Sequence, residues 1–324
     1  MRGPVRIALV GAGRMGRVHL AALKASDQIS LAGIVEPVDA VRAKLGDDRV
    51  PLFASAQELI AAGTAEAVLI AAPSGVHAML VREFAAAGIP VLCEKPVGVS
   101  PEEAATARDA ALGADVVLQV GYWRRFVPVL RGLRARIETG EFGEIYQLSC
   151  MQWDQEPPSA SFRAGSGGIA IDMGVHEIDQ IRWLLDEEIE SVAAVGAGRL
   201  PPEAASAADP DAAVVLAKLS GGAAATISLG RRFPHADSCW LEVWGTRGYE
   251  RVPFMWNADV WSDAGDQVFV GAMQAQAEAF ARAVRGGRCE GAGGDDAVAA
   301  LTVAAQVAES LAVGAARFPS AVGR

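Results

Sequence analysis

Two hydrophobic rhythms divide the chain. In its first third, short continuous apolar runs at 5–10, 30–35, 67–71, 90–93 and 116–120 have the length of strands buried on both faces. Between them, helical periodicity follows Gly16 through Leu20 and Leu23, then returns at 77–87 and 101–112. Strands that alternate with helices predict a doubly wound parallel sheet. Beyond residue 122 the rhythm changes. A helix at 127–139 and a strand at 144–151 lead into the Pro157-Pro158 loop, and further strands are expected at 212–219, 223–229, 240–244 and 249–253. Turns at Ser220-Gly221-Gly222 and Gly245-Thr246-Arg247-Gly248 separate them. Two alanine-rich helices, 272–284 and 295–315, close the pattern, the second reaching back towards the first domain. Residues 196–211, rich in Pro and Ala, read as a loop without chemistry. The shift in rhythm predicts two α/β domains, 1–122 and 123–324, the second strand-rich.

In a parallel sheet, ligands bind beyond the carboxyl ends of the strands, so the residues there carry the chemistry. The first strand runs into Gly11-Ala12-Gly13-Arg14-Met15-Gly16 and then a helix. Gly11 permits the tight turn, Gly13 lets a pyrophosphate approach the backbone, and Gly16 lets helix and strand pack closely, with Arg14 and Met15 opening the helix whose N-terminus faces the anion. The second strand ends in Glu36, 20 residues after Gly16, where a ribose-binding acid is expected. A carboxylate there accepts from ribose hydroxyls and repels a 2′-phosphate, which favours NAD over NADP. Arg42, the nearest counter-candidate for a phosphate, falls on the following helix. Later strand ends place Ala72-Pro73, Glu94-Lys95-Pro96 and Tyr122-Trp123-Arg124-Arg125 around the same cofactor. Lys95 precedes a proline that restricts its backbone to extended conformations. His77 starts its helix, either capping a turn or touching the cofactor.

The segment 167–185, GGIAIDMGVHEIDQIRWLL, carries a second signal. At about 100° per residue, Asp172, His176, Asp179 and Trp183 fall within roughly 60° of arc, opposite Ile171, Val175, Ile178, Ile181 and Leu185. The apolar stripe is core. The polar stripe reads as a solvated face, a metal site or a proton-transfer site. Gln180 stands where a zincin helix needs its second histidine, which counts against metal.

Composition narrows the partners. A net charge of −10, with arginine pairs only at 124–125 and 231–232, disfavours nucleic acid and anionic membranes. No run reaches the roughly 18 apolar residues of a membrane span, and the N-terminus lacks a signal peptide's apolar region, so a cytoplasmic protein is expected. Cys93, Cys150, Cys239 and Cys289 lie 57, 89 and 50 residues apart, which predicts free buried thiols and no zinc or redox motif.

GAGRMG, the segment AAPSGVHAMLVREFAAAGIPVLCEKP, the stretch GYWRRFVP and the helix opening GGIAIDMGVHEID together resemble the glucose–fructose oxidoreductase/inositol dehydrogenase/rhizopine catabolism (Gfo/Idh/MocA) family. The resemblance implies a Rossmann domain followed by an α/β domain with an open, mostly antiparallel sheet that forms homo-oligomer contacts, and an active site between the two. It implies that Lys95, Asp172 and His176 are the catalytic set and that Lys95-Pro96 is cis. Gln152-Trp153-Asp154-Gln155 departs from the Arg-Asp-Pro-like segment of many members. The chemistry of the residues agrees with the implied reaction. Histidine titrates near working pH and suits His176 to general base catalysis on a secondary alcohol, with Lys95 donating to the reacting oxygen and Asp172 binding a neighbouring hydroxyl. Trp153, Asp154 and His235 are further candidates for a polyol site, each set against ordinary strand-end or turn packing; Trp183, Trp240 and Trp244 read as core or subunit-interface aromatics. The expected function is NAD-dependent oxidation of a ring alcohol of a cyclitol or pyranose sugar. The alternatives are an NAD(P)H-dependent reductase or aldose–ketose oxidoreductase, and a non-catalytic cofactor-sensing regulator.

Overall fold

A computed structural model describes residues 3–45, 50–198, 209–258 and 266–313. The chain forms two compact units, 1–132 with 260–301, and 133–259 with 302–324. Each is assembled from segments distant in sequence, unlike the contiguous division expected at 122. The first unit takes back residues beyond 260 because a late helix completes its core.

That first unit is a parallel sheet of six strands, β1 (Val5–Val10), β2 (Ile29–Val35), β3 (Leu52–Phe53), β4 (Ala67–Ile70), β5 (Val91–Cys93) and β6 (Leu118–Val120). Their order is β3-β2-β1-β4-β5-β6, the doubly wound arrangement in which the chain reverses direction across the sheet beside β1. The helices α1 (Arg14–Ala25), α2 (Asp39–Arg42), α3 (Ala56–Ala62), α4 (His77–Ala86) and α5 (Pro101–Gly113) connect the strands. Local chemistry sets where α5 starts. Ser100 Oγ accepts from Glu103 N, Glu103 Oε2 accepts from Val99 N at 2.8 Å, and Pro101 occupies the first turn, where its missing N–H costs nothing. Ile7, Leu9, Leu69 and Leu92 are wholly buried, each contributing about 1.5–3 kcal/mol of apolar burial. Ala277, Phe280 and Ala281 of α9 (Gln267–Val284) close that core from outside the βα repeat.

The second unit begins within α6 (Pro128–Glu138) and contains β7 (Ile145–Trp153), α7 (Ala160–Gly165), a π-helical turn (Ala170–Gly174), α8 (Val175–Leu185) and five more strands. These are β8 (Ile189–Ala197), β9 (Ala212–Leu219), β10 (Ala224–Gly230), β11 (Asp237–Gly245) and β12 (Tyr249–Ala258). The sheet order is β12-β11-β7-β10-β9-β8, antiparallel except for the β7–β10 pair. One face buries Leu148, Cys150, Val215, Ile227, Leu241 and Val243. The other alternates outward and leaves Val195, Val214, Leu216 and Tyr249 more than half exposed. The last described helix, α10 (Gly294–Val313), is long and apolar enough to cross a membrane by length and composition. Its Ala297, Ala300, Leu301, Ala304, Val307 and Leu311 are nevertheless buried, with the spacing of a helix packed along one stripe.

Candidate active site

In the first unit, β1 turns at Gly11, whose φ of 95° favours glycine and where a Cβ would lie 2.8 Å from the Ala71 carbonyl oxygen. A Cβ on Gly16 would lie 2.1 Å from Gly11 O, so only glycine lets α1 start this close to the turn. Gly13 and Arg14 are exposed, and no other atom would come within 4 Å of a Cβ on Gly13. Met15 packs against the core, leaving an open helix N-terminus suited to a pyrophosphate. Glu36 is buried at the end of β2, where its carboxylate accepts from Ala12 N at 3.0 Å and Val38 N at 2.9 Å. The acid thus braces the glycine turn, and each carboxylate oxygen keeps a lone pair beyond these bonds. Arg42 donates to the Glu36 carbonyl and to the Asp39 carboxylate, so its guanidinium is tied into α2 and its approach. These features fit NAD.

Beyond β5 the cis Lys95-Pro96 peptide is held from two sides. On one side Glu94 is buried, with Oε1 2.6 Å from His19 Nε2 and Oε2 accepting from Lys95 N at 3.1 Å. Burial alone would raise the Glu94 carboxyl, but the hydrogen bond and charge of His19, with Lys95 and His77 nearby, hold it below its ordinary value. On the other side His77 Nδ1 lies 2.8 Å from Pro96 O and Nε2 lies 2.7 Å from Ala72 O. Burial lowers the pKa of this imidazole, against the opposing pull of the two carbonyls and Glu94. His77 therefore ties the β4 strand end to the Lys95 loop, with Pro73 exposed beside it. Trp123 and Arg124 lie in a buried 3-10 turn, Trp123–Phe126, where Trp123 meets Phe269 edge-on at 5.0 Å and Arg124 lies 5.9 Å from the Trp123 ring centre. Lys95 itself is half-buried.

In the second unit the candidate residues gather at the carboxyl ends of the parallel β7–β10 pair. Trp153 and Gly230 are register partners there, so Asp154 and Arg231 leave β7 and β10 side by side, with Asp154 N donating to Gly230 O at 2.9 Å. Asp172 rides on the π turn beside β10. The wider turn changes the angular step, so the 100° projection of the sequence holds for α8 but not between Asp172 and His176. His176 and Asp179 are buried, as are Glu177 and Gln180 beside them, so the solvated-face reading is removed for His176 and Asp179. Trp183 is half-buried under the Arg134 guanidinium, 5.2 Å from its ring centre.

Arg231 is wholly buried. It donates through Nη1 to Asp172 Oδ2 at 3.1 Å and through Nη2 to Asp209 Oδ1 at 2.9 Å. Burial and the charges of Asp172 and Asp237 push Asp154 up to about 6, against the lowering effects of Gln152 and Arg231. Trp153 spends its N–H on Ser228 Oγ at 3.0 Å, and His235 is exposed, stacked edge-on against Phe233 at 5.3 Å.

Three residues of these two arrangements escaped the sequence reading: His19 beside Glu94, and Asp209 and Arg231 beside Asp172. Arg231 looked like half of an isolated basic pair, and 196–211 like a loop without chemistry. In fact β8 extends to Ala197, Asp209 and Asp211 carry buried carboxylates, and 199–208 lie outside the described residues. His19 carried a signal, a histidine on the helix directly after the glycine turn. Of the four cysteines expected to be buried, Cys289 is exposed.

Residues 5–122 match the family model for the NAD-binding Rossmann fold of an oxidoreductase family, and 130–250 match the GFO/IDH/MocA C-terminal domain. The chain belongs to the GFO/IDH/MocA family. This family member is 47% identical over 306 residues to the rhizopine catabolism protein MocA of Rhizobium meliloti, covering 94% of this chain and 95% of that protein. It is 32% identical to a myo-inositol 2-dehydrogenase of Thermotoga maritima, covering 75% of this chain and 74% of that one. Among solved structures it is similar to a scyllo-inositol dehydrogenase of Lactobacillus casei with bound NAD(H) and scyllo-inositol. The TM-score is 0.83 at 25% identity, covering 95% of this chain and 96% of that one. The GFO/IDH/MocA protein described here is thus an NAD-binding oxidoreductase acting on CH–OH groups.

Proposed function

We propose that the chain is an NAD-dependent dehydrogenase that oxidises a ring secondary alcohol of a cyclitol or a pyranose sugar. The observation that carries this reading is the buried His176 one turn after an Asp172 carboxylate held by a guanidinium, in an oxidoreductase whose named relatives include inositol dehydrogenases. Bound NAD supplies the hydride acceptor. His176 takes the hydroxyl proton as general base, and returns it in ketone reduction. Lys95 donates a hydrogen bond to the reacting oxygen and offsets the alkoxide charge that develops there. Asp172 accepts from a neighbouring ring hydroxyl, and Asp154 contacts another. Glu36 takes the adenosine ribose.

The test is a panel of inositols, monosaccharides and their lactones, scored by NADH absorbance with NAD and NADP in parallel. NADH production from at least one polyol, stronger than with NADP, is the expected result. Lys95→Ala and His176→Ala should each lower kcat by about 10²–10⁴-fold. Tight NAD binding with no turnover across the panel would overturn the reading in favour of a cofactor sensor.

We also propose that the open face of the second sheet meets another copy of this chain. Val195, Val214 and Leu216 are more than half exposed in adjacent strands, and Trp240 and Trp244 stand on the same face. So broad an apolar surface marks a contact region.

A further inference from the structure

The second unit contains a chain of buried charges that no sequence motif announced. Arg163 Nε donates to Asp209 Oδ2 at 2.7 Å, and Arg163 Nη2 to Asp209 O at 2.6 Å. Asp209 Oδ1 accepts from Arg231 Nη2 at 2.9 Å, from Arg231 Nε at 3.2 Å and from Ile169 N at 2.8 Å. Arg231 Nη1 then reaches Asp172 Oδ2 at 3.1 Å. Arg163 Nη1 also meets Asp211 Oδ1 at 3.2 Å. Arg231 is wholly buried, and Arg163 and Asp209 are nearly so.

Two of these contacts converge on Asp172 by different routes. Ile169 directly precedes the π turn that carries Asp172, so Asp209 pins the backbone there. Through Arg231 the same Asp209 also fixes the carboxylate. A planar guanidinium can bridge two acids in one rigid fork, which an ammonium cannot. We propose that Arg231, anchored by Asp209, is a positioning residue that holds the Asp172 carboxylate in the orientation in which it accepts a substrate hydroxyl. The inference rests on the reading of Asp172 given above.

The charges around the neighbouring Asp154 offer an independent readout. Asp172 and Asp237 face it as anions, Arg231 as a cation and Gln152 as a neutral donor. Removing Arg231 takes away the cation and shifts the titration of Asp154 to higher pH.

The experiment compares Arg231→Gln, Arg231→Lys, Asp209→Asn and Asp172→Asn in the NAD-loaded protein. It reads kcat and KM for a polyol as a function of pH, NADH affinity by fluorescence, and amide hydrogen exchange over 168–175. Arg231→Gln should raise KM at least tenfold with NADH affinity unchanged within twofold. It should also move the acid limb of kcat/KM to higher pH and speed exchange over 168–175 at least tenfold. Arg231→Lys, which keeps charge without the fork, should recover part of the loss. Should Arg231→Gln fail to fold, Asp209→Asn decides, with the same KM and exchange signature expected.

A KM within threefold of wild type, or exchange over 168–175 at the wild-type rate, overturns the inference. If Asp172→Asn itself leaves kcat/KM intact, the role assigned to Asp172 fails instead. Hydrogen exchange decides whether Arg231 positions the turn even if no polyol is turned over.

Discussion

At the scale of single residues, the second unit's site separates two carboxylates by their surroundings. Asp172, on the π turn, has a guanidinium against it; Asp154, just past the end of β7, is pushed up to about 6 by burial and by the charges of Asp172 and Asp237. The linkage has a definite sign. An acid whose pKa is higher in the folded state than in the unfolded state stabilises below its unfolded pKa, near 3.9, and that stabilisation is lost as pH rises through about 6. Asp154→Asn removes a charge that the fold tolerates poorly. Its stability by urea unfolding should exceed wild type by about 1–3 kcal/mol at pH 8 and match it at pH 4. The acid limb of kcat/KM near pH 6 should flatten in the same variant. Equal stability differences at the two pH values would contradict the assignment. A gain in stability with a loss in substrate use is what a residue kept for function produces.

At the scale of elements, the βα repeats of the first unit were legible because each strand there is a continuous apolar run bounded by turn residues. Those boundaries agree within two residues, apart from the pieces β3, α2 and α3. β3 is only two residues long, too short for any periodicity. The half-exposed β8 escaped for another reason: small residues on an edge strand leave no clean alternation. The π turn escaped because a projection at a fixed angle cannot register a change of pitch. The ion network was illegible in principle, since its partners lie 22 to 59 residues apart and share no local pattern. Lys95 and the Asp172/His176 pair stood out by contrast, Lys95 at a strand's carboxyl end directly before a proline and the pair on one polar stripe of a helix. The glycine turn is the element whose tolerance is easiest to test. Gly16→Ala places a Cβ against a backbone oxygen that cannot rotate away, so α1 must shift from the turn. Weakening of NAD binding by tenfold or more, at a melting temperature lowered by only a few degrees, is expected from titration calorimetry and thermal unfolding.

At the scale of the whole molecule, the open sheet face gives a concrete expectation. Leu216→Glu adds a charge at the centre of the exposed apolar surface, beside Val195 and Val214 and across from Thr226. Light scattering should report a smaller assembly than wild type, with NADH affinity unchanged within twofold; an unchanged mass would place the subunit contact elsewhere. A net charge of −10 keeps such monomers soluble enough to measure.

The discontinuity of the two units bears on how the chain is made. A ribosome releases residues in order, and domains generally fold as they emerge. Here the nucleotide-binding unit cannot be finished when its sixth strand appears, because Phe280 and its neighbours on α9 arrive only after all six strands of the second sheet have been synthesised. Until then, the apolar side of α1 and β1 that α9 covers stands open to water or to a chaperone. The second sheet thus has time to form its strand pairs while the first unit waits, and capture of the cofactor becomes an event that follows synthesis of α9.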